Sequence, residues 1–89
     1  MIILNSRNIL DKFDIIYVDG SHRLLDCYTD LVLSWELLEK NGLMIIDDYL
    51  FNKNNILESP FEAVNEFLNK YENKYTLLSK NYRVFLVKN

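Results

Sequence analysis

Four residues combine type and spacing in a way that could do chemistry. Asp19 closes the apolar run Phe13-Asp14-Ile15-Ile16-Tyr17-Val18, and Asp47 and Asp48 close a second run, Leu43-Met44-Ile45-Ile46. If the two runs are neighbouring strands, about 4.8 Å apart, the three carboxylates share one edge of a sheet. Like charges held that close repel, so either one carboxyl stays protonated or a cation sits between them. Hard oxygen donors of this kind suit Mg²⁺, Mn²⁺ or Ca²⁺. His22 follows Asp19 by three positions. With an unperturbed pKa of about 6.5, it could take a proton from a hydroxyl held by such an ion.

Each of these residues also has an ordinary structural reading. Aspartate routinely caps helices and begins turns after a strand, and a histidine at a helix end commonly hydrogen-bonds a backbone group. On chemistry alone both readings of the cluster stay open. Arg23 and Arg83 could bind an anion, although isolated arginines are usually solvated; Cys27 reads as packing rather than as a nucleophile. The only glycines are Gly20 and Gly42, so no phosphate-cradling glycine loop is present. Trp35 and the tyrosines and phenylalanines fall at helical or strand spacing and read as core.

The elements that would position the acidic residues follow from changes of period. The run 13–18 is β-branched and aromatic and apolar almost without alternation from Ile15, as expected of a strand buried on both faces. From about Arg23 to Lys40, Leu24, Tyr28, Leu31, Trp35 and Leu38 recur at helical spacing. Asn41-Gly42 then offers a left-handed helix cap before the second apolar run. Strand, helix and strand in this order predict a right-handed βαβ crossover with parallel strands. A polar loop from Tyr49 to Glu58 follows, asparagine-rich, with Tyr49, Leu50 and Phe51 apolar and outward-looking, which suits either a substrate wall or a plain connector. Ser59-Pro60-Phe61-Glu62 starts a helix running to about Tyr71, with Ser59 as cap, Pro60 in the first turn and Glu62 completing a capping box. Tyr75 to Leu78 and Tyr82 to Val87 read as an antiparallel hairpin turning near Lys80-Asn81. At the other end, Ile2 to Leu4 suits a very short strand, and Ser6 could cap a helical turn carrying Ile9, Leu10 and Phe13. No internal repeat is evident.

Composition bounds what these elements can serve. The chain has 89 residues, 49% of them hydrophobic and 26% charged, and its net charge is −3. That balance fits one globular unit, and it offers no Lys/Arg cluster to track phosphates or an anionic membrane, so nucleic acid and membrane are excluded as partners. No apolar run reaches the roughly 18 residues of a membrane span, and Met1-Ile2-Ile3-Leu4 lacks the form of a signal peptide. A single cysteine forms no internal disulfide, and a soluble, cytoplasmic location is expected. A chain this short buries only about 60 to 65% of its unfolded surface, too little to complete helices on both faces of a sheet.

The string Phe13 to His22, followed by Asn41 to Tyr49, resembles the later half of a class I S-adenosylmethionine-dependent methyltransferase, and the resemblance spans nearly the whole chain. It is strongest to the metal-dependent O-methyltransferases, of the catechol type and of the type tailoring antibiotic sugars. There an Asp ends the fourth strand and Asp-Asp or Asp-Asn ends the fifth. The resemblance therefore implies Asp19, Asp47 and Asp48 as ligands of a divalent cation, with Mg²⁺ the expected ion, and His22 as the base. It also places Asn5 and Ser6 near the adenine side of the cofactor, with Asp19 a cofactor contact too. The family sheet order is 3-2-1-4-5-7-6 with the seventh strand antiparallel. Ile2 to Leu4 would then end strand three, and the final hairpin would be strands six and seven.

The implied fold is thus α/β, the C-terminal part of a Rossmann-like methyltransferase sheet within one partial domain over residues 1–89. Strand one with its glycine-rich loop and the acidic end of strand two have no counterpart, so weak or no cofactor binding is expected of this chain alone. The implied activity is methyl transfer from S-adenosylmethionine to a small-molecule hydroxyl. Loss of strand one should also leave an unpaired, apolar strand edge, favouring self-association or pairing with a missing N-terminal half. Two other readings compete: a non-catalytic remnant or interaction module of the same fold, and a phosphoryl-transfer domain using the acidic residues as a Mg²⁺ site.

Overall fold

The computed structural model describes residues 2–5, 12–19 and 23–89. Its elements are β1 (Ile2–Asn5), β2 (Phe13–Val18), α1 (Leu24–Leu37), β3 (Leu38–Ile46), a single 3-10 turn (Ile56–Glu58), α2 (Pro60–Lys70), β4 (Tyr75–Lys80) and β5 (Val84–Lys88). The five strands form one mixed sheet in the order β1-β2-β3-β5-β4. β2 and β3 are parallel, joined through α1 as the period change predicts, with Val18 opposite Ile46. β5 lies antiparallel to β3, and β4 antiparallel to β5. The order β2-β3-β5-β4 corresponds to 4-5-7-6, an arrangement compatible with part of a Rossmann-like methyltransferase sheet.

One side of the sheet carries the core. Ile16, Val18, Met44, Ile46, Val84 and Leu86 alternate inward from three adjacent strands and meet Cys27, Leu31 and Trp35 of α1 and Ala63, Val64 and Phe67 of α2. Trp35 stacks on Tyr71 at 4.5 Å and meets Phe67 edge-on at 5.8 Å, tying the two helices together. β2 and β3 were expected to be buried on both faces, yet the opposite side chains are only half-covered, and Ile15 remains 39% exposed. Both helices lie on one side, as expected of a chain too short to cover two. Among the described residues, no helix is long and apolar enough to cross a membrane.

The sequence-based boundaries need three corrections. First, α1 ends at Leu37 rather than near Lys40. The Leu38 N–H bonds back to Trp35 O, and the terminal carbonyls are held by lysines from elsewhere: Lys88 Nζ donates to Trp35 O (2.8 Å) and Leu38 O (2.9 Å), and Lys12 Nζ donates to Glu36 O (2.6 Å). The left-handed residue is Asn41 (φ 69°), while Gly42 has no positive φ. Gly42 is needed for space: a Cβ there would lie 2.6 Å from Leu38 Cδ1 and 2.8 Å from Glu39 O.

Second, Tyr49 faces inward. It is buried, stacks on Phe61 at 4.9 Å and donates its hydroxyl to Asn65 Oδ1 (2.6 Å). Ser59 caps α2 through the Phe61 N–H, as its position suggested, and its own hydroxyl donates to Phe51 O, which ties down the preceding loop.

Third, β1 runs antiparallel on β2, with Ile2 opposite Val18 and Asn5 opposite Ile15. A family third strand would be parallel and two strands further away. The connection 6–12 is well short of the dozen or so residues that a parallel crossover requires, so a hairpin-like return is the pairing open to this segment. It covers the edge of β2 that was expected to be bare.

Candidate functional site

The parallel register of β2 and β3 brings their ends level, and Asp47 N–H continues the ladder by donating to Val18 O at 3.0 Å. Asp19, Asp47 and Asp48 consequently converge, each offering a carboxylate oxygen within 4.8 Å of the others, all three partly exposed. Asp48 adopts φ 61°, a left-handed conformation that aspartate tolerates better than most residues, and this turns the chain away from the strand.

Asp47 is held by three donors. Tyr17 Oη donates to its Oδ2 at 2.5 Å, and Oδ1 accepts from the Asp48 N–H (2.8 Å) and from Arg83 Nε (3.1 Å). Strand alternation explains the grouping. Tyr17 and Asp19 point to the same side of β2, and the pairing of Ile46 with Val84 sets Arg83 beside Asp47. Burial by itself would raise the Asp47 pKa, but the bonds from Tyr17, the Asp48 amide and Arg83 outweigh it and hold the carboxyl below its ordinary value. In return the Tyr17 hydroxyl is pushed up, chiefly by its bond to Asp47. Tyr82 is likewise pushed up, first by a hydrogen bond to Asp48, so the cluster is flanked by two phenols and a guanidinium.

A cavity of about 370 Å³ lies nearby in the chain, lined by Arg23, Leu24, Leu25 and Asp26 at the start of α1 and by Leu57 and Glu58 before α2. Its walls are the segments that lead away from the two aspartate-bearing strand ends. Leu25 (77% exposed) and Leu57 (70% exposed) give it apolar surface, with one basic and two acidic side chains around them.

A family model described as a methyltransferase domain matches residues 3–49, just over half of the chain. The chain belongs to this methyltransferase domain family. No curated protein and no solved structure matches it. The matched segment of the methyltransferase domain contains most of β1 and all of β2, α1 and β3 and ends just after Asp47-Asp48, so it carries the whole acidic cluster.

The structure brings Asp19, Asp47 and Asp48 together. Asn5, expected near the adenine side of the cofactor, does not join this cluster: the antiparallel course of β1 puts it opposite Ile15, at the far end of β2 from Asp19. His22 and Ser6, with the helical turn expected after Ser6, lie outside the described residues. Three partners of the cluster, Tyr17, Tyr82 and Arg83, had no place in it by the sequence reading, and Tyr82 carried no signal. Tyr17 was signalled by its two-residue spacing from Asp19, and Arg83 by its position at the start of a strand that pairs beside β3. The guanidinium, read as able to bind an anion though such arginines are usually solvated, bonds the Asp47 carboxylate.

The donor set of the cluster is one that could hold a hard cation. All its donors are carboxylate oxygens, they are accessible to water, and Asp47 spends only three of roughly four acceptor positions on protein donors.

Proposed function

We propose that this methyltransferase domain belongs to a S-adenosylmethionine-dependent O-methyltransferase acting on a small-molecule hydroxyl, with a divalent cation, Mg²⁺ by preference, held by Asp19, Asp47 and Asp48. The observation that carries this reading is the convergence of three carboxylate oxygens within 4.8 Å at the ends of two adjacent parallel strands. When bound, the cation supplies charge that makes an acceptor hydroxyl more acidic, and S-adenosylmethionine supplies the methyl group. The chain's residues do the rest. Asp19, Asp47 and Asp48 would hold the cation that positions the acceptor oxygen, and His22 would take the hydroxyl proton on a ring nitrogen as the methyl leaves the sulfonium sulfur, released as a neutral thioether, for that oxygen. Tyr17 and Arg83 keep Asp47 ionised and oriented. The cavity between Arg23–Asp26 and Leu57–Glu58 receives the body of the acceptor, a mixed apolar and polar molecule small enough for about 370 Å³.

A second reading is supported by the donors already on Asp47: a non-catalytic module in which the Tyr17–Asp47–Arg83 network serves structure alone. Calorimetric titration with Mg²⁺ and Mn²⁺ separates the two. Saturable binding by the 89-residue chain, abolished in D19N and D48N, supports the catalytic reading; no binding at millimolar ion, or equal binding by the variants, refutes it.

A further inference from the structure

The ion pair at the sheet edge is placed to do more than brace a loop. Arg83 Nε and the Asp48 N–H both bond Oδ1 of Asp47, while Tyr17 takes Oδ2, so among the described residues the charged partner of this carboxylate sits on Oδ1 and a neutral one on Oδ2. Asp47 is well covered, with its side chain 14% exposed, whereas Arg83 is 56% exposed and reaches it from the solvent side. A neutral donor holds one oxygen from within the sheet, and a cation holds the other from outside, where it can be exchanged.

We infer that Arg83 is a positioning residue that acts as the cluster's built-in counter-charge, orienting Asp47 in the ion-free domain and setting divalent-ion affinity by opposing a second positive charge at the same carboxylate. The inference rests on the cation reading of the cluster. It follows from Coulomb repulsion between like charges that share a partner, an effect that salt weakens at an exposed group. Tyr17, being neutral, opposes nothing; its role is geometric.

The test is Mn²⁺ binding to the full chain, followed by electron paramagnetic resonance of the free ion and by calorimetry, at low and high ionic strength. R83Q should bind Mn²⁺ about three- to tenfold more tightly than the parent at low salt, with the gain shrinking as salt rises. R83K keeps the charge and should stay close to the parent, while Y17F should show no tightening. Because Arg83 is more than half exposed, R83Q should fold; R83M, with the same loss of charge, replaces it if the amide disturbs the turn. A bracing role without charge opposition would leave affinity unchanged or weaken it in R83Q, with no salt-dependent gain, and that outcome overturns the inference while leaving the cation reading intact. Absence of Mn²⁺ binding by parent and variants alike overturns both.

Discussion

Replacing Asp47 by asparagine in the ion-free protein tests whether the acidic cluster is a source of strain or of stability. Three carboxylates with oxygens within 4.8 Å would make an ion-free cluster repulsive, so removing one charge would then stabilise the fold. The bonds around Asp47 argue the reverse. Asparagine retains an oxygen for the Asp48 N–H but weakens the 2.5 Å bond from Tyr17, and it removes the charge that pairs with Arg83. A hydrogen bond to a charged group contributes about 1.5–3 kcal/mol, and the water access that Asp47 retains places this one near the lower end. Leaving the exposed Arg83 out of the sum, D47N should lose about 1.5–2 kcal/mol at pH 7, which for a domain of this size lowers Tm by about 6–16 °C.

The pH dependence gives an independent check. The Asp47 carboxyl lies below its ordinary 3.8 in the folded chain, so its contribution is complete above that value and is lost as pH falls through the folded pKa. Urea unfolding of parent and D47N, with chelator present, should therefore show a gap that is constant from pH 7 to about pH 5 and narrows below about pH 4. A D47N protein more stable than the parent, or a gap unaltered in acid, would refute the account of Asp47 as a satisfied, ionised group.

Two further substitutions and one reactivity follow from the packing. G42A forces a Cβ to within 2.6 Å of Leu38 Cδ1 and 2.8 Å of a backbone oxygen, and should cost about 1–3 kcal/mol in denaturant unfolding. N41G, at φ 69°, should be neutral or slightly stabilising; the opposite ranking of the two would restore the left-handed role to Gly42. Cys27 is buried, and burial, with a smaller contribution from Asp30, pushes its thiol up to about 12. It should resist thiol reagents at pH 8 in the folded chain and react promptly in urea, and rapid native labelling would show that this part of the core opens.

The parts of the fold legible in the sequence were those set by local pattern. The β2–α1–β3 unit followed from a switch between strand and helix periods, α2 from Ser59-Pro60, and the hairpin from two β-branched and aromatic runs about a polar turn. What was not legible depends on contacts across the chain. The end of α1 is set by Lys12 and Lys88, neither of them in the helix, so the local Asn41-Gly42 signal misled. The direction of β1 depends on the length of its connection and on an open neighbouring edge, and neither is visible in Ile2 to Leu4 themselves.

The same division runs through the site. The three aspartates were readable because each ends an apolar run, and a parallel register must bring such ends level. Their electrostatic state was not readable, because it is decided by β5, more than thirty residues later in the chain, whose register delivers Arg83 to Asp47. This order of construction has a consequence for how the cluster behaves without an ion. With Asp47 neutralised by Arg83 and bonded by Tyr17, the strand ends can meet without waiting for a metal to relieve their repulsion, so the cluster is assembled by folding and not by ligand. On the cation reading, a site assembled in this way should take up Mn²⁺ with little change in the sheet, and its affinity should respond to the charge at position 83 more than to the stability of the fold around it.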